Sequence, residues 1–257
     1  MQTLGVLGVG ELTEKIVKGL RNSGYAGEVI LSPRNQERAR ALGNHYGCDV
    51  MTSNQEVVDR SEILVLGVRP DVVGRLSEEV EVGSAKTIIS LVAGMRAAEL
   101  SKHLPGTNVV RVMLSYAAEI NCTTVIIFPE NVLVQQLLSP LGTVVVLDDE
   151  DAFETATVAA CMNGWFYFWL QSLQQWFVDQ GLPEHQAKQL VLSNMQDCIS
   201  SSKRESKRSF TDLGKSIATP GTFTAKGLDV LQRHNYCEPW TKAFDEVLAD
   251  LTTGPGK

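Results

Sequence analysis

The stretch GVLGVGELT, residues 5–13, decides how the rest of this chain is read. An apolar, β-branched run, TLGVLG (3–8), gives way at once to ELTEKIVKGLRNSG, whose apolar residues recur at helical spacing. Between them stands Gly8-x-Gly10-x-x-Thr13, one residue away from the G-x-G-x-x-G/A fingerprint of dinucleotide-binding turns. Gly8 permits a tight strand-to-helix turn, and Gly10 lets the backbone approach a pyrophosphate held at the helix N-terminus. Thr13 is bulkier than the usual third residue and is expected to hold helix and strand slightly further apart. Two glycines alone are a weak signal, and a turn without a ligand is the plainer alternative. Their place between a first strand and a first helix gives them weight.

Outward from that turn the first half of the chain keeps alternating. EVILS (28–32), EILVLGV (62–68), KTIISLVA (86–93), NVVRVM (108–113), TTVIIF (123–128) and TVVVLD (143–148) read as strands. Helical patterns, NQERARALGNHYG (35–47) and DVVGRLSEEV (71–80), lie among them. Continuous apolar runs separated by helices predict a mostly parallel sheet covered on both faces, a Rossmann-type doubly wound α/β domain over residues 1–149. Past Asp148 no strand pattern occurs. DDEDAFETATVAACMNG opens with acids, as suits a helix N-terminus. LPEHQAKQLVLSNMQDCISS, TAKGLDVLQRH and EPWTKAFDEVLADL continue helically, so residues 150–257 are expected to form an all-helical domain. The closing TTGPGK is expected to fray.

A formal charge of −7 argues against nucleic acid or an anionic membrane surface as a partner, since both need a basic face. The basic cluster SKRESKR (202–208) reads as a solvated helix end or loop. The five cysteines lie far apart, with no C-x-x-C and no ligand spacing to the four histidines. That favours reduced thiols in a cytoplasmic protein and no metal site. Seven of the seventeen aromatic residues crowd into NGWFYFWLQSLQQWF (163–177), but the run falls far short of the ~18 consecutive apolar residues that a membrane span needs. On a helix, Phe166, Leu170, Leu173 and Phe177 share one face, and Trp165, Trp169 and Trp176 adjoin it. Most of the run is expected to be core facing its own domain and a partner chain, with its first turn beside a binding site.

The end of the second strand discriminates between cofactors. An NAD-type site places an acid there to accept from the ribose 2′-hydroxyl. Here the strand ends in Ser32-Pro33-Arg34-Asn35, with no carboxylate. A hydroxyl followed by a guanidinium suits a 2′-phosphate, which points to NADP(H) rather than NAD; the alternative is a solvated arginine at a helix start.

Taken in order, the glycine turn, Ser32 to Asn35, Gly67-Val68-Arg69-Pro70, Ser90 to Gly94, and Arg111-Val112-Met113 resemble motifs of the pyrroline-5-carboxylate reductase family. Gly164 to Tyr167, Gly181-Leu182-Pro183, and Thr219-Pro220-Gly221-Thr222-Phe223-Thr224 continue the likeness through the helical half. The resemblance implies NADPH-dependent reduction of a cyclic imine, with hydride passing to the imine carbon and the nitrogen ending protonated. It also implies a homodimer, or a higher oligomer, intertwined through the helical domain, with substrate lying between one Rossmann domain and helices of the dimer. The cofactor contacts implied are Gly8, Gly10, Glu11 and Leu12; Ser32, Arg34 and Asn35; Val68, Arg69 and Pro70; and Ala93 and Gly94. Implied substrate contacts are Met113, Ser115, Asn163, Trp165, Thr219, Gly221 and Thr222, with the Thr224 hydroxyl serving the imine nitrogen. Thr224 could equally cap its helix.

The departures from the family's pattern concentrate in the substrate segments. A Met-Pro-Asn-Thr-Pro loop reads Met113-Leu114-Ser115-Tyr116-Ala117 here, without carboxamide or prolines. The small, hydroxyl-rich helix start reads Ala160 to Tyr167, and Thr222 and Phe223 interrupt the last glycine loop. The expected substrate is therefore pyrroline-5-carboxylate, reduced to proline, or a related and bulkier imine. The alternative is a weakly active or inactive relative acting as a cofactor-binding regulator. A hydroxy-acid reductase would want a lysine early in the helical half, and residues 150–180 contain none.

Overall fold

In the computed structural model, which describes residues 2–253, the runs read as strands assemble into one eight-stranded sheet. The strands are β1 (Leu4–Leu7), β2 (Val29–Leu31), β3 (Asp49–Val50), β4 (Ile63–Leu66), β5 (Thr87–Ser90), β6 (Asn108–Met113), β7 (Thr123–Phe128) and β8 (Gly142–Val146). They lie in the order β3-β2-β1-β4-β5-β6-β7-β8. The first six are mutually parallel; β7 runs antiparallel to β6, and β8 parallels β7. Every residue of β1, β2 and β4 is buried, which is why these strands read as unbroken apolar runs rather than alternating ones.

Helices cover both faces. α1 (Glu11–Asn22), α2 (Gln36–Tyr46) and α6 (Val132–Leu138) pack Ile16, Leu20, Leu42 and Leu138 against Val6, Leu31 and Val65. On the other face, α3 (Asn54–Arg60), α4 (Pro70–Glu79) and α5 (Ala97–His103) bring Val57, Val73 and Leu100 onto Leu7, Ile30 and Leu64. The doubly wound arrangement expected from the sequence is what forms. The two-residue β3 and the seven-residue α3, α5 and α6 had no counterpart in the sequence pattern.

After β8 the chain is helical: α7 (Glu150–Asp179), α8 (Glu184–Arg204), α9 (Phe210–Ile217), α10 (Phe223–Arg233) and α11 (Glu238–Thr253). The aromatic run belongs to α7, which begins at the acids and continues through residue 179. Thr252 and Thr253, expected to fray, close α11, and Gly254 to Lys257 lie outside the described residues. Among the described residues no helix is long and apolar enough to cross a membrane. By compactness the chain divides inside α7 and α11, into residues 1–160 with the segment from Val247, and residues 161–246.

In the first unit, the opening turns of α7 dock on the sheet. Phe153 packs with Met113 and Ile126, and its ring lies 4.4 Å beneath the guanidinium of Arg111. Arg111, on β6, is fully buried and donates to Glu150 (2.9 Å) and to the equally buried Glu154 (2.5 Å). A buried guanidinium is tolerated because two carboxylates compensate it. In the second unit, Trp165, Phe166 and Trp169 of α7 close on Trp240 of α11, and Trp165 also stacks on Phe244 with ring centres 5.7 Å apart. Among the described residues of this unit, only Ala187 and Val191 are buried hydrophobics. Tyr167, Phe168, Phe210 and Phe223 stand largely exposed, Phe223 to 94%.

Candidate functional site

Because β1 to β6 are parallel, the segments after β1, β2, β4, β5 and β6 emerge at one edge of the sheet. That edge gathers Gly8 to Leu12, Ser32 to Asn35, Val68 to Pro70, Ala93 and Gly94, and Met113 to Ser115.

The glycine turn is tightly held. Gly8 adopts φ +92, and a Cβ there would strike Val68 Cγ1 at 2.6 Å and the Gly67 carbonyl at 2.7 Å. Thr13 is buried, and its hydroxyl donates to the carbonyls of Gly8 (2.9 Å) and Gly10 (3.0 Å). Its bulk is accommodated against a glycine of the loop after β4. A Cβ on Gly67 would meet Thr13 Cγ2 at 2.2 Å, so the methyl occupies room that Gly67 leaves.

Gly10 is different. Its φ is −88, and a Cβ would find nothing nearer than the Gly67 carbonyl at 3.9 Å. Neither conformation nor packing within the chain demands a glycine, so the open face above it fits a ligand that approaches the backbone closely. Gly10 also caps α1 without a side-chain hydrogen bond, which leaves the first amides of Glu11 and Leu12 for an anion. The Glu11 carboxylate accepts from the Tyr116 hydroxyl (3.3 Å). Burial and the nearby Glu11 charge push the Tyr116 hydroxyl above its ordinary pKa.

At the end of β2, the Ser32 hydroxyl is buried and accepts from the Gly8 amide (3.0 Å), fixing the turn from beneath. Asn35 caps α2 through Arg38 N–H (3.4 Å) and donates to the Val9 carbonyl (3.1 Å), tying the turn to the next helix. Arg34 is exposed and makes no ion pair among the described residues. It borders an open recess of about 740 Å³, with Arg75 and Glu79 of α4 and Asn54 of α3. A smaller pocket continues from these residues to Ser32 and Gly8. Asn54, Arg75 and Glu79 carry no motif and were missed in the sequence; only the strand order brings them beside Arg34.

Elsewhere along the edge, Pro70 occupies the first turn of α4, and exposed Arg69 pairs with Asp71 at 3.0 Å. Val68 packs over Gly8, and Gly94 takes φ +67 after β5 beside half-buried Ala93. Met113 is buried against Phe153, while the Ser115 hydroxyl lies 3.1 Å from that of Thr123 and accepts from the Ala117 amide. Tyr116, whose hydrogen bond to Glu11 the sequence did not foretell, follows Ser115, the residue that stands where the resembled loop carries its carboxamide.

Within the helical unit, Asn163 is half-buried on α7, and Trp165 is engaged by Trp240 and Phe244. Gly221 takes φ +86 just before α10. Thr222, not Thr224, caps that helix: its Oγ accepts from the Ala225 amide (3.1 Å) and donates to the Thr219 carbonyl (2.7 Å). Thr224 is exposed, and its hydroxyl has no hydrogen-bond partner among the described residues. Among those residues no three His, Cys, Asp or Glu side chains converge as a metal cluster.

Comparison with known proteins gives each half a relative. Residues 3–94 match the family described as NADP oxidoreductase coenzyme F420-dependent, and residues 150–251 match pyrroline-5-carboxylate reductase dimerisation. The chain is 24% identical to the pyrroline-5-carboxylate reductase of Haemophilus influenzae, over 96% of this chain and 95% of that one. The fold is shared with the 1-pyrroline-5-carboxylate reductase of Streptococcus pyogenes, at TM-score 0.87, 22% identity and 98% coverage of both chains. It is shared as well with the Plasmodium falciparum pyrroline carboxylate reductase solved with NADP bound, at TM-score 0.88 and 21% identity over 98% of this chain and 97% of that one.

Proposed function

We propose that this chain, whose residues 150–251 match pyrroline-5-carboxylate reductase dimerisation and which is similar along its length to such reductases, is a member of that family and an NADPH-dependent reductase of a cyclic imine, either pyrroline-5-carboxylate or a bulkier relative. The observation that carries this is the turn at Gly8 to Leu12. There an uncapped helix end lies under a glycine whose missing side chain the fold itself does not require. The amides of Glu11 and Leu12 would hold the pyrophosphate, and Arg34 would meet the 2′-phosphate. When bound, the nicotinamide supplies a hydride for the imine carbon. The chain's own work is placement and proton supply. The Thr224 hydroxyl, unclaimed by its helix, is the group assigned to donate at the imine nitrogen.

A homodimer completes the proposal. A helical unit with two buried hydrophobics and several exposed aromatics lacks a core of its own, and a second copy would cover that surface. The Ser115 segment favours a second reading, a cofactor-binding regulator, since Ser115 replaces the family's carboxamide and its hydroxyl is engaged by that of Thr123 at 3.1 Å.

One experiment separates the two. NADPH oxidation is followed with a panel of cyclic imines, including pyrroline-5-carboxylate, alongside direct measurement of NADPH binding. Turnover of any panel member supports the reductase. Tight binding with no oxidation across the panel would replace it with the regulator.

A further inference from the structure

The recess beside Arg34 holds more charge than one arginine. Arg34 leaves the end of β2, and Arg75 projects from α4, which follows β4; both line the same cavity. Arg75 is only loosely engaged, its Nε 3.8 Å from Glu79 one helical turn on, and both side chains are about half exposed. Glu79 has a second partner: Asn54 Nδ2 donates to its carboxylate at 2.9 Å. The wall therefore carries two guanidiniums and one carboxylate, a net positive charge, and the carboxylate is already held by an amide.

We propose that Arg75 is a specificity-determining residue, the second arm of a two-arginine clamp for a 2′-phosphate, with Glu79 as the resident counter-ion that Arg75 releases when the phosphate arrives. This rests on the NADPH proposal above and adds the residues that select the phosphorylated cofactor. A phosphate monoester carries a charge of about −1.5 to −2 near neutral pH, more than one guanidinium neutralises. Arg34 enters from the sheet edge and Arg75 from the helix opposite, so their forks can address different oxygens of one phosphate. Asn54 keeps Glu79 hydrogen-bonded once Arg75 has turned away, which lowers the cost of the exchange. The small pocket that continues to Ser32 and Gly8 links this clamp to the glycine turn, as one dinucleotide would require.

The test is direct binding, by calorimetry, of NADPH, NADH and adenosine 2′,5′-bisphosphate to the wild-type chain and to R34A, R75A, R75K and E79Q. Arg75→Ala should weaken NADPH and the bisphosphate by about 10-fold or more, the range for a lost charge-assisted hydrogen bond, and leave NADH within about twofold. Arg75→Lys should recover only part of the loss, because it restores charge without the fork. Glu79→Gln should tighten NADPH. If Arg75→Ala leaves the ratio of NADPH to NADH affinity at its wild-type value while Arg34→Ala collapses it, the clamp is wrong and the NADPH proposal stands. If the wild-type chain binds neither NADPH nor the bisphosphate, the clamp and the NADPH proposal both fall.

Discussion

The γ-methyl of Thr13 fills the space that Gly67 leaves: a Cβ on Gly67 would lie 2.2 Å from it. One helix residue and one loop residue thus share a single methyl's volume beneath the glycine turn. The larger residue sits on the helix and the smaller on the loop.

Gly67→Ala should therefore overpack the turn and cost about 1–3 kcal/mol. Thr13→Ser keeps the two hydroxyl bonds and removes the methyl. Combining it with Gly67→Ala should recover most of the loss, leaving only the close approach to the Gly8 carbonyl at 3.0 Å. Urea unfolding of the two single variants and the double variant reads this; equal loss in Gly67→Ala and the double variant would refute the shared volume.

Two threonines two residues apart should separate cleanly. Thr222→Ala removes the cap of α10 and should cost about 1 kcal/mol, visible as faster hydrogen exchange at the Ala225 amide. Thr224→Ala should leave the melting temperature unchanged and lower turnover about 10-fold or more. Unchanged turnover with the authentic substrate would remove Thr224 from the chemistry.

Arg111 should be costly to remove alone. Arg111→Met leaves Glu154 buried without its cation and should destabilise by about 3–5 kcal/mol. Adding Glu154→Leu should return much of that stability, because the uncompensated charge goes with it. A double variant no more stable than Arg111→Met would show that the pair acts through something other than charge compensation.

An ionic network outside the site should set the response to acid. Lys18 bridges Glu14 (2.8 Å) and Glu119 (3.1 Å), while Lys15 also binds Glu119 and Arg38 binds Glu14. Burial works to raise the Glu14 pKa, but Lys18 and Arg38 outweigh it; hydrogen bonds from Lys15 and Lys18 lower that of Glu119. Carboxylates held below their ordinary 4.5 stabilise the fold above that pH and lose the contribution as pH falls through the depressed values. Glu119→Gln should thus be less stable than wild type at pH 7, by about 0.5–1 kcal/mol, with the gap closing below pH 4.5. A gap that is constant down to pH 3 would contradict the network's role.

NVVRVM and TTVIIF were legible to the residue, since both form β-strands over 108–113 and 123–128. Both strands carry apolar runs that leave little doubt about period. α3, α5 and α6 were not legible, because seven residues make barely two turns and show no convincing periodicity. The glycine turn could be read because its function is written in consecutive residues. Arg75, Asn54 and Glu79 could not, because they meet only through the order in which parallel strands are laid side by side. Arg111 was visible as an arginine in an apolar strand, but nothing in sequence tells that its carboxylates arrive some 40 residues later.

The partners of Arg111 come from α7, at positions 150 and 154, within the segment that matches the dimerisation family. Residues 150–160 nevertheless cluster with the sheet. Recombining halves between relatives at the apparent junction near residue 149 would hand the nucleotide-binding half a guanidinium and send its counter-charges away with the other parent. A chimera joined beyond residue 160 keeps that ionic bookkeeping within one lineage. The seam along which the two halves can be traded thus lies about three helical turns past the point where the strands stop.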